Sequence, residues 1–205
     1  MAGQDRHPDQ TAQLPALIGR VGVLGGTDQD KTQLCLALAY QQVQHHGPVV
    51  CVDARRYPTT EIQFRLLMRD KARYIPLASA TRLPQEVPRR VLDVVAQGLQ
   101  TASSPPLILV DGLNAGDSWE RTLAFVLRAG ATVVSFLGSA AQATFGRYDT
   151  LLVLRTTAEA EAISRAVGRK LSPEQIAGLP SDQAWLIHVT RVYRVRLPVG
   201  PTAGA

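Results

Sequence analysis

Eight consecutive residues, Gly25, Gly26, Thr27, Asp28, Gln29, Asp30, Lys31 and Thr32, have nearly the types and spacing of a phosphate-binding loop, G-x-x-x-x-G-K-[ST]. In such a loop, backbone N–H groups and the N-terminus of the following helix face a phosphate. Lys31 would reach the terminal phosphates of ATP, and the Thr32 hydroxyl would ligate Mg²⁺. One position departs from the pattern: Asp30 stands where glycine lets the backbone lie against phosphate. Asp28 adds a second negative charge. A carboxylate about 4 Å from a phosphate charge costs roughly 4 kcal/mol at an effective dielectric of 20. That lowers affinity by about three orders of magnitude, and less where the side chain turns to solvent.

Asp111 ends the apolar run LILVDG (Leu107–Gly112). It reads as a Mg²⁺-coordinating acid on the strand beside the loop, with Thr32 as its partner at the metal. Hydrolysing enzymes of this type commonly carry a glutamate next in sequence, to orient and deprotonate water. Here that position is Gly112, and Asp117 and Glu120 are the nearest acids downstream. Asp53 also ends an apolar run, and a loop-capping role is favoured there over a nucleotide contact. Cys35 and Cys51 lie inside apolar runs without zinc-ligand spacing and read as buried thiols in a reducing compartment. His45 and His46 suit a helix C-terminus and carry no metal role.

These residues need elements to position them. RVGVLGG (Arg20–Gly26) reads as a buried strand entering a glycine turn, followed by a helix from Thr32 to about His45. Further strands are expected at Val49–Ala54, Tyr74–Ala78 (an edge strand, because of Pro76), Leu107–Gly112, Ala131–Gly138 and Thr150–Thr156. Helices are expected at Thr59–Asp70, from Pro88 to about Thr101, after a cap at Asp117 or Ser118, and from a Thr157 cap to about Val167. The third of these buries Trp119, Leu123, Val126 and Leu127. Ala184–Arg191 and Val192–Pro198 are close enough to form a hairpin. Apolar strands alternating with amphipathic helices imply an α/β three-layer sandwich with a mainly parallel sheet and a C-terminal hairpin. Ligands bind such sheets at the carboxyl ends of the strands.

Bulk properties fit one domain. The chain has 205 residues, 45% of them hydrophobic, and a formal charge of +5. Residues 1–16 and 199–205 read as flexible tails around a single domain at 17–198. The amino-terminal stretch lacks an apolar signal region, and no apolar run approaches the roughly 20 residues a membrane helix needs. A cytoplasmic protein without a membrane segment is expected. Arginines and lysines cluster at Arg55, Arg56, Arg65, Arg69, Lys71 and Arg73. They cluster again at Arg165, Arg169, Lys170, Arg191, Arg194 and Arg196, and the last two share one face of a strand. A solvated face is favoured for such a group, and the alternative is a face that follows DNA phosphates.

The order of these pieces resembles the RecA-like P-loop NTPase domain of the HerA–FtsK superfamily, which includes DNA pumps and conjugative coupling ATPases. The resemblance spans roughly Gly19 to Pro198. Its carriers are VGVLGGTDQDKTQL, VVCVDARR, LILVDG, LRAGATVVSFLGSAAQ, and the tail from YDTLLVLRTTAEAEAISRAVG through LSPEQIAGLPSDQAWLIHVTRVYRVRLP. Arg128 aligns with an arginine of the fourth motif. The departures are Asp30 for a glycine, Gly112 for the catalytic glutamate, and Leu137-Gly138 for a Thr-Gln sensor. The resemblance implies a pseudo-ATPase that binds ATP weakly, with little or no hydrolysis. It would serve as a structural or regulatory subunit of a DNA-associated assembly, with protein partners or copies of itself. The alternatives are an active ATP-dependent DNA translocase with atypical motifs and a RecA-type recombination-mediator scaffold.

Overall fold

The computed structural model describes residues 12–54, 61–65, 72–76, 86–101, 104–111, 117–142, 147–189 and 191–199. Its strands are β1 (Ala12–Gln13), β2 (Arg20–Leu24), β3 (Val49–Asp53), β4 (Ala72–Pro76), β5 (Leu107–Asp111), β6 (Thr132–Phe136), β7 (Thr150–Leu154), β8 (Gln183–His188) and β9 (Arg191–Arg196). They form one sheet in the order β1-β9-β8-β7-β2-β6-β5-β3-β4. The run from β4 to β7 is parallel throughout, and β8 and β9 close it as an antiparallel hairpin. The helices are α1 (Asp28–Gln44), α2 (Glu86–Thr101), α3 (Asp117–Arg128), α4 (Ala160–Ala166) and α5 (Pro173–Ala177), with a 3-10 turn at Ala140–Gln142. Residues 61–65 are helical.

The central strands β2, β3, β5, β6 and β7 are buried on both faces because both faces are covered. One set of alternating side chains, including Val21, Val23, Leu109, Phe136 and Leu152, packs with Leu34, Cys35 and Leu38 of α1. On the other face Val50, Val52, Ile108 and Val133 pack with Val91 and Val95 of α2 and Trp119, Leu123 and Val126 of α3. A separate cluster on that face joins Leu151, Val153 and Ile187 to Ile163 of α4 and Ile176 of α5. The expected three-layer sandwich is therefore formed, and strand polarity brings the ends of β2, β3, β5, β6 and β7 to one side.

Several local expectations change. Ala12–Gln13, assigned to a tail from sequence, pair in parallel with Val195 and Arg196 of β9. Two ladder residues are too few to leave a periodic signal. The edge strand β4 runs Ala72–Pro76 and ends on the proline, which has no N–H to donate. Thr157 does not cap α4: the helix begins at Ala160 with Glu159 at the N-cap and no side-chain cap bond. Asp117 is already the first residue of α3, so it is not the residue before it. Asp111 is not on the strand beside the loop strand, because β6 lies between β5 and β2. Gly112, Arg55, Arg56, Arg69 and Lys71 lie outside the described residues.

Candidate functional site

The loop leaves β2 through Gly25 and Gly26, both at positive φ (69° and 70°). A side chain at Gly25 would place its Cβ 2.5 Å from the Leu154 carbonyl oxygen, so glycine is required by space as well as by backbone conformation. The Gly26 N–H donates to the Arg155 carbonyl at 3.1 Å, tying the loop to the end of β7. Thr27 then has extended backbone angles and caps α1.

At this point the loop differs from the sequence expectation. The helix starts at Asp28, not Thr32, so Asp28, Gln29, Asp30 and Lys31 form its first turn. A capping box holds them there. The Thr27 hydroxyl accepts from the Asp30 N–H at 3.2 Å. One Asp30 carboxylate oxygen accepts from both the Thr27 N–H and the Thr27 hydroxyl, each at 2.8 Å. Asp30 thereby does two things to the loop: it holds donors at the helix N-terminus, and it places a carboxylate there.

Lys31 is buried, 4% exposed, and its Nζ donates to the Leu137 carbonyl at 2.8 Å, just past the end of β6. Thr32 is half-buried on the next position of α1. Asp111 is buried at the end of β5, and the strand register sets Asp53 of β3 directly beside it. Both carboxylates lie on the α1 side of the sheet, by alternation with Cys51 and Leu109. Gly25, Gly26, Thr27, Lys31, Thr32 and Asp111 thus gather at one end of the sheet. Asp53 bonds across to the edge strand. It accepts a hydrogen bond from the Tyr74 hydroxyl on β4. Burial and that bond to Asp53 raise the Tyr74 phenol above its usual range.

Beneath the first turns of α1, Cys35 and Cys51 are in contact, Sγ to Sγ 3.9 Å. Both thiols are free and buried. The hydrogen bond with Cys35, burial, and the charges of Asp53 and Asp111 push the Cys51 thiol well up. Both thiols are core groups, as their apolar runs predict.

A polar seam crosses the opposite face between its two apolar clusters. Arg20 makes a two-pronged pair with Glu120 of α3, at 2.7 and 2.9 Å, and its guanidinium lies 5.1 Å from the centre of the Tyr148 ring. Arg147 adds a third bond to Glu120 at 3.1 Å. Burial is the largest influence and opposes the Arg20 charge, but the bond to Glu120, the Glu120 charge and Tyr148 together outweigh it and leave the pKa raised. A small cavity beside the seam is lined by Trp119, Ser135, Gln142 and Leu137, the residue whose carbonyl anchors Lys31.

Sequence reasoning missed four residues near the loop. The sequence favours a cap at Asp53, and only register shows it next to Asp111. Arg155 gave no local signal, yet its carbonyl binds Gly26 and its side chain is exposed at the same end of the sheet. Gln142 returns through the 3-10 turn and accepts from the Gly138 N–H at 2.8 Å, beside the place expected for a sensor. Leu137 acts through its carbonyl, which no side-chain pattern reveals. Arg128, matched to a motif arginine, ends α3 just before β6 begins, at the far end of the sheet from the loop.

The donors have the right chemistry for a phosphate and a divalent cation: a lysine ammonium, a threonine hydroxyl, loop amides and a carboxylate. In this conformation Lys31, the Gly26 amide and the Thr27 amide bind acceptors within the chain.

No family model and no curated protein matches the chain. Solved structures do. The genome packaging NTPase B204 from Sulfolobus turreted icosahedral virus 2, in complex with AMP, aligns with a TM-score of 0.60 at 11% identity, covering 89% of this chain and 98% of that one. The same NTPase in complex with ATP-gammaS aligns at 0.56, with 9% identity and the same coverage. Its complex with sulfate aligns at 0.55, with 9% identity, covering 91% of this chain and all of the other. At such identities the likeness establishes the fold, a mostly parallel RecA-like P-loop sandwich.

Proposed function

We propose that this chain is a degenerate member of the HerA–FtsK type that binds ATP weakly, hydrolyses it slowly or not at all, and serves as a structural or regulatory subunit of a DNA-associated cytoplasmic assembly. The observation that carries this reading is the Thr27–Asp30 capping box, which holds the loop's donors with a carboxylate. ATP must displace that carboxylate and draw Lys31 from the Leu137 carbonyl, so binding is weak rather than lost. The fold shared with an NTPase solved with AMP and with ATP-gammaS supports a nucleotide as the ligand. Lys31 and the amides of Gly25, Gly26 and Thr27 would hold phosphate, while Thr32 and Asp111 would hold Mg²⁺. The cation would neutralise phosphate charge. Glycine at 112 has no side chain to activate water. Binding partners would be proteins or copies of this chain.

Calorimetry with ATP and ADP in the presence of Mg²⁺ tests the reading, with phosphate release followed in the same samples. Weak binding that disappears in Lys31→Ala, without turnover, is expected. Absence of any binding would show the loop to be vestigial and overturn the proposal. An active ATPase is the second reading, favoured by Asp53 lying buried beside Asp111. Turnover abolished by Asp53→Asn would establish it in place of the first.

A further inference from the structure

One group of acids and one group of cations lie at opposite ends of the parallel strands. Asp28, Asp30, Asp53 and Asp111 sit at the carboxyl end of the parallel strands, with the loop. A group of cations sits at the other end. His188 of β8 pairs with Thr150, the first residue of β7, so the tip of the β8–β9 hairpin lies at the amino end of the sheet. Arg191 opens β9 at that tip. The turn after α4 reaches the same place, because Lys170 Nζ donates to the Val189 carbonyl.

Backbone conformation builds this junction. Gly168 and Arg169 are left-handed (φ 65° and 56°), and so is Val189 (φ 51°). The Arg169 N–H returns to the Ser164 carbonyl at 2.7 Å, which reverses the chain and turns its side chain outward beside Lys170. A non-glycine residue in this region is uncommon and costs energy. Arg165, Arg169, Lys170 and Arg191 are all exposed here. The acids on the same helices are Glu161, which lies 3.9 Å from Arg165, and Glu174 on the first turn of α5. Arg194 and Arg196 are not part of this group: they engage Gln183 and Asp182 toward the other end of the hairpin.

We infer that Arg165, Arg169, Lys170 and Arg191 form a nucleic-acid backbone site at the end of the sheet opposite the nucleotide loop. The inference rests on the DNA-associated part of the function proposed above and locates its contact surface. Strands of five residues separate the two ends by about 16 Å, so a nucleotide in the loop does not account for these cations. A polyphosphate backbone fits them by charge. The exposed large apolar side chains at the patch are Val189 and Tyr193, and the Tyr193 hydroxyl accepts from Arg191 at 3.4 Å. A protein interface has an apolar core and a membrane surface takes an apolar face, and two side chains set among four cations supply neither.

The test is fluorescence anisotropy of a short labelled DNA duplex with the full chain across a range of salt. The logarithm of affinity should fall with the logarithm of salt with a slope of about −3, as for three or four phosphate contacts. Arg165→Gln/Arg169→Gly/Arg191→Gln should weaken binding at least tenfold at low salt and flatten that slope. Arg89→Gln/Arg90→Gln, on exposed positions of α2, should leave both unchanged. Arg169→Gly alone suits a left-handed turn, so its melting temperature should hold while its DNA affinity falls. ATP binding should survive in every patch variant, which separates failure of this site from failure of the nucleotide reading. No duplex binding by the wild type, an equal loss in the α2 variant, or a preference for anionic lipid vesicles over DNA would overturn the proposal.

Discussion

Asp30 is the residue on which the reading of the loop turns. Its carboxylate completes the cap of α1 while standing among donors that suit phosphate. Stability and ligand binding therefore pull in opposite directions at one side chain. Asp30→Gly should lower stability by about 1 kcal/mol, through the lost N3 half of the capping box and the entropy of glycine in a helix, and should strengthen ATP binding by about tenfold or more, equivalent to ~1.4 kcal/mol. Thermal melts and calorimetry on the same sample measure both. Unchanged affinity would mean that the Asp30 carboxylate is not the obstacle. The type of this residue was legible in the sequence, and its departure from glycine marked it. Its hydrogen bonds were not, because whether a carboxylate faces solvent or folds back on a helix start depends on backbone angles at Thr27.

Among the elements, α3 is the helix fixed by charge as well as by its apolar stripe. Its Glu120 binds Arg20 of β2 and Arg147 ahead of β7, joining a helix to two strands it does not precede or follow in sequence. Hydrogen bonds from Arg20 hold the Glu120 carboxyl below its usual value against the opposing effect of burial, and the charges of Arg20 and Arg147 add to this. A carboxylate with a depressed folded pKa stabilises the fold above its unfolded value, near 4.3. That stability is lost as pH falls through the lower folded value. Wild type should thus be more stable than Glu120→Gln at pH 7, by about 1–2 kcal/mol. The gap in melting temperature should close as pH falls below that unfolded value. A gap that persists in acid would assign the effect to packing. The apolar stripe Trp119, Leu123 and Val126 was readable from helical spacing. The seam was not, since Arg20 and Glu120 are brought together only by the sheet order.

For the molecule as a whole, the parallel sheet gives two chemically different ends. The glycine loop and the acids meet at the carboxyl end, and the Arg165–Arg169–Lys170–Arg191 group meets at the amino end. Ligands at distant sites without shared contacts stabilise a fold additively. ATP at about 100 times its dissociation constant should add about 2.7 kcal/mol. A DNA duplex should add its own increment, and the two together should give the sum in thermal-shift measurements. A shortfall would mean that the ends communicate or share a surface. No described helix is long and apolar enough to cross a membrane.

The sequence by itself determined the α/β alternation, the loop, the buried thiols and the hairpin, because each rests on local periodicity or on residue types a few positions apart. Sheet order was decided only in three dimensions: β6 intervenes between the loop strand and the strand of Asp111, and Asp53 comes to lie beside Asp111. The helix start at Asp28 was also decided there, since a capping box and a wide phosphate loop are competing uses of the same backbone amides. The pairing of β1 with β9, the return of Gln142 onto Gly138 and the meeting of two left-handed turns at Val189 join residues distant in sequence or hidden in short turns. Contacts of that kind depend on the packing of whole elements, which local residue patterns do not encode.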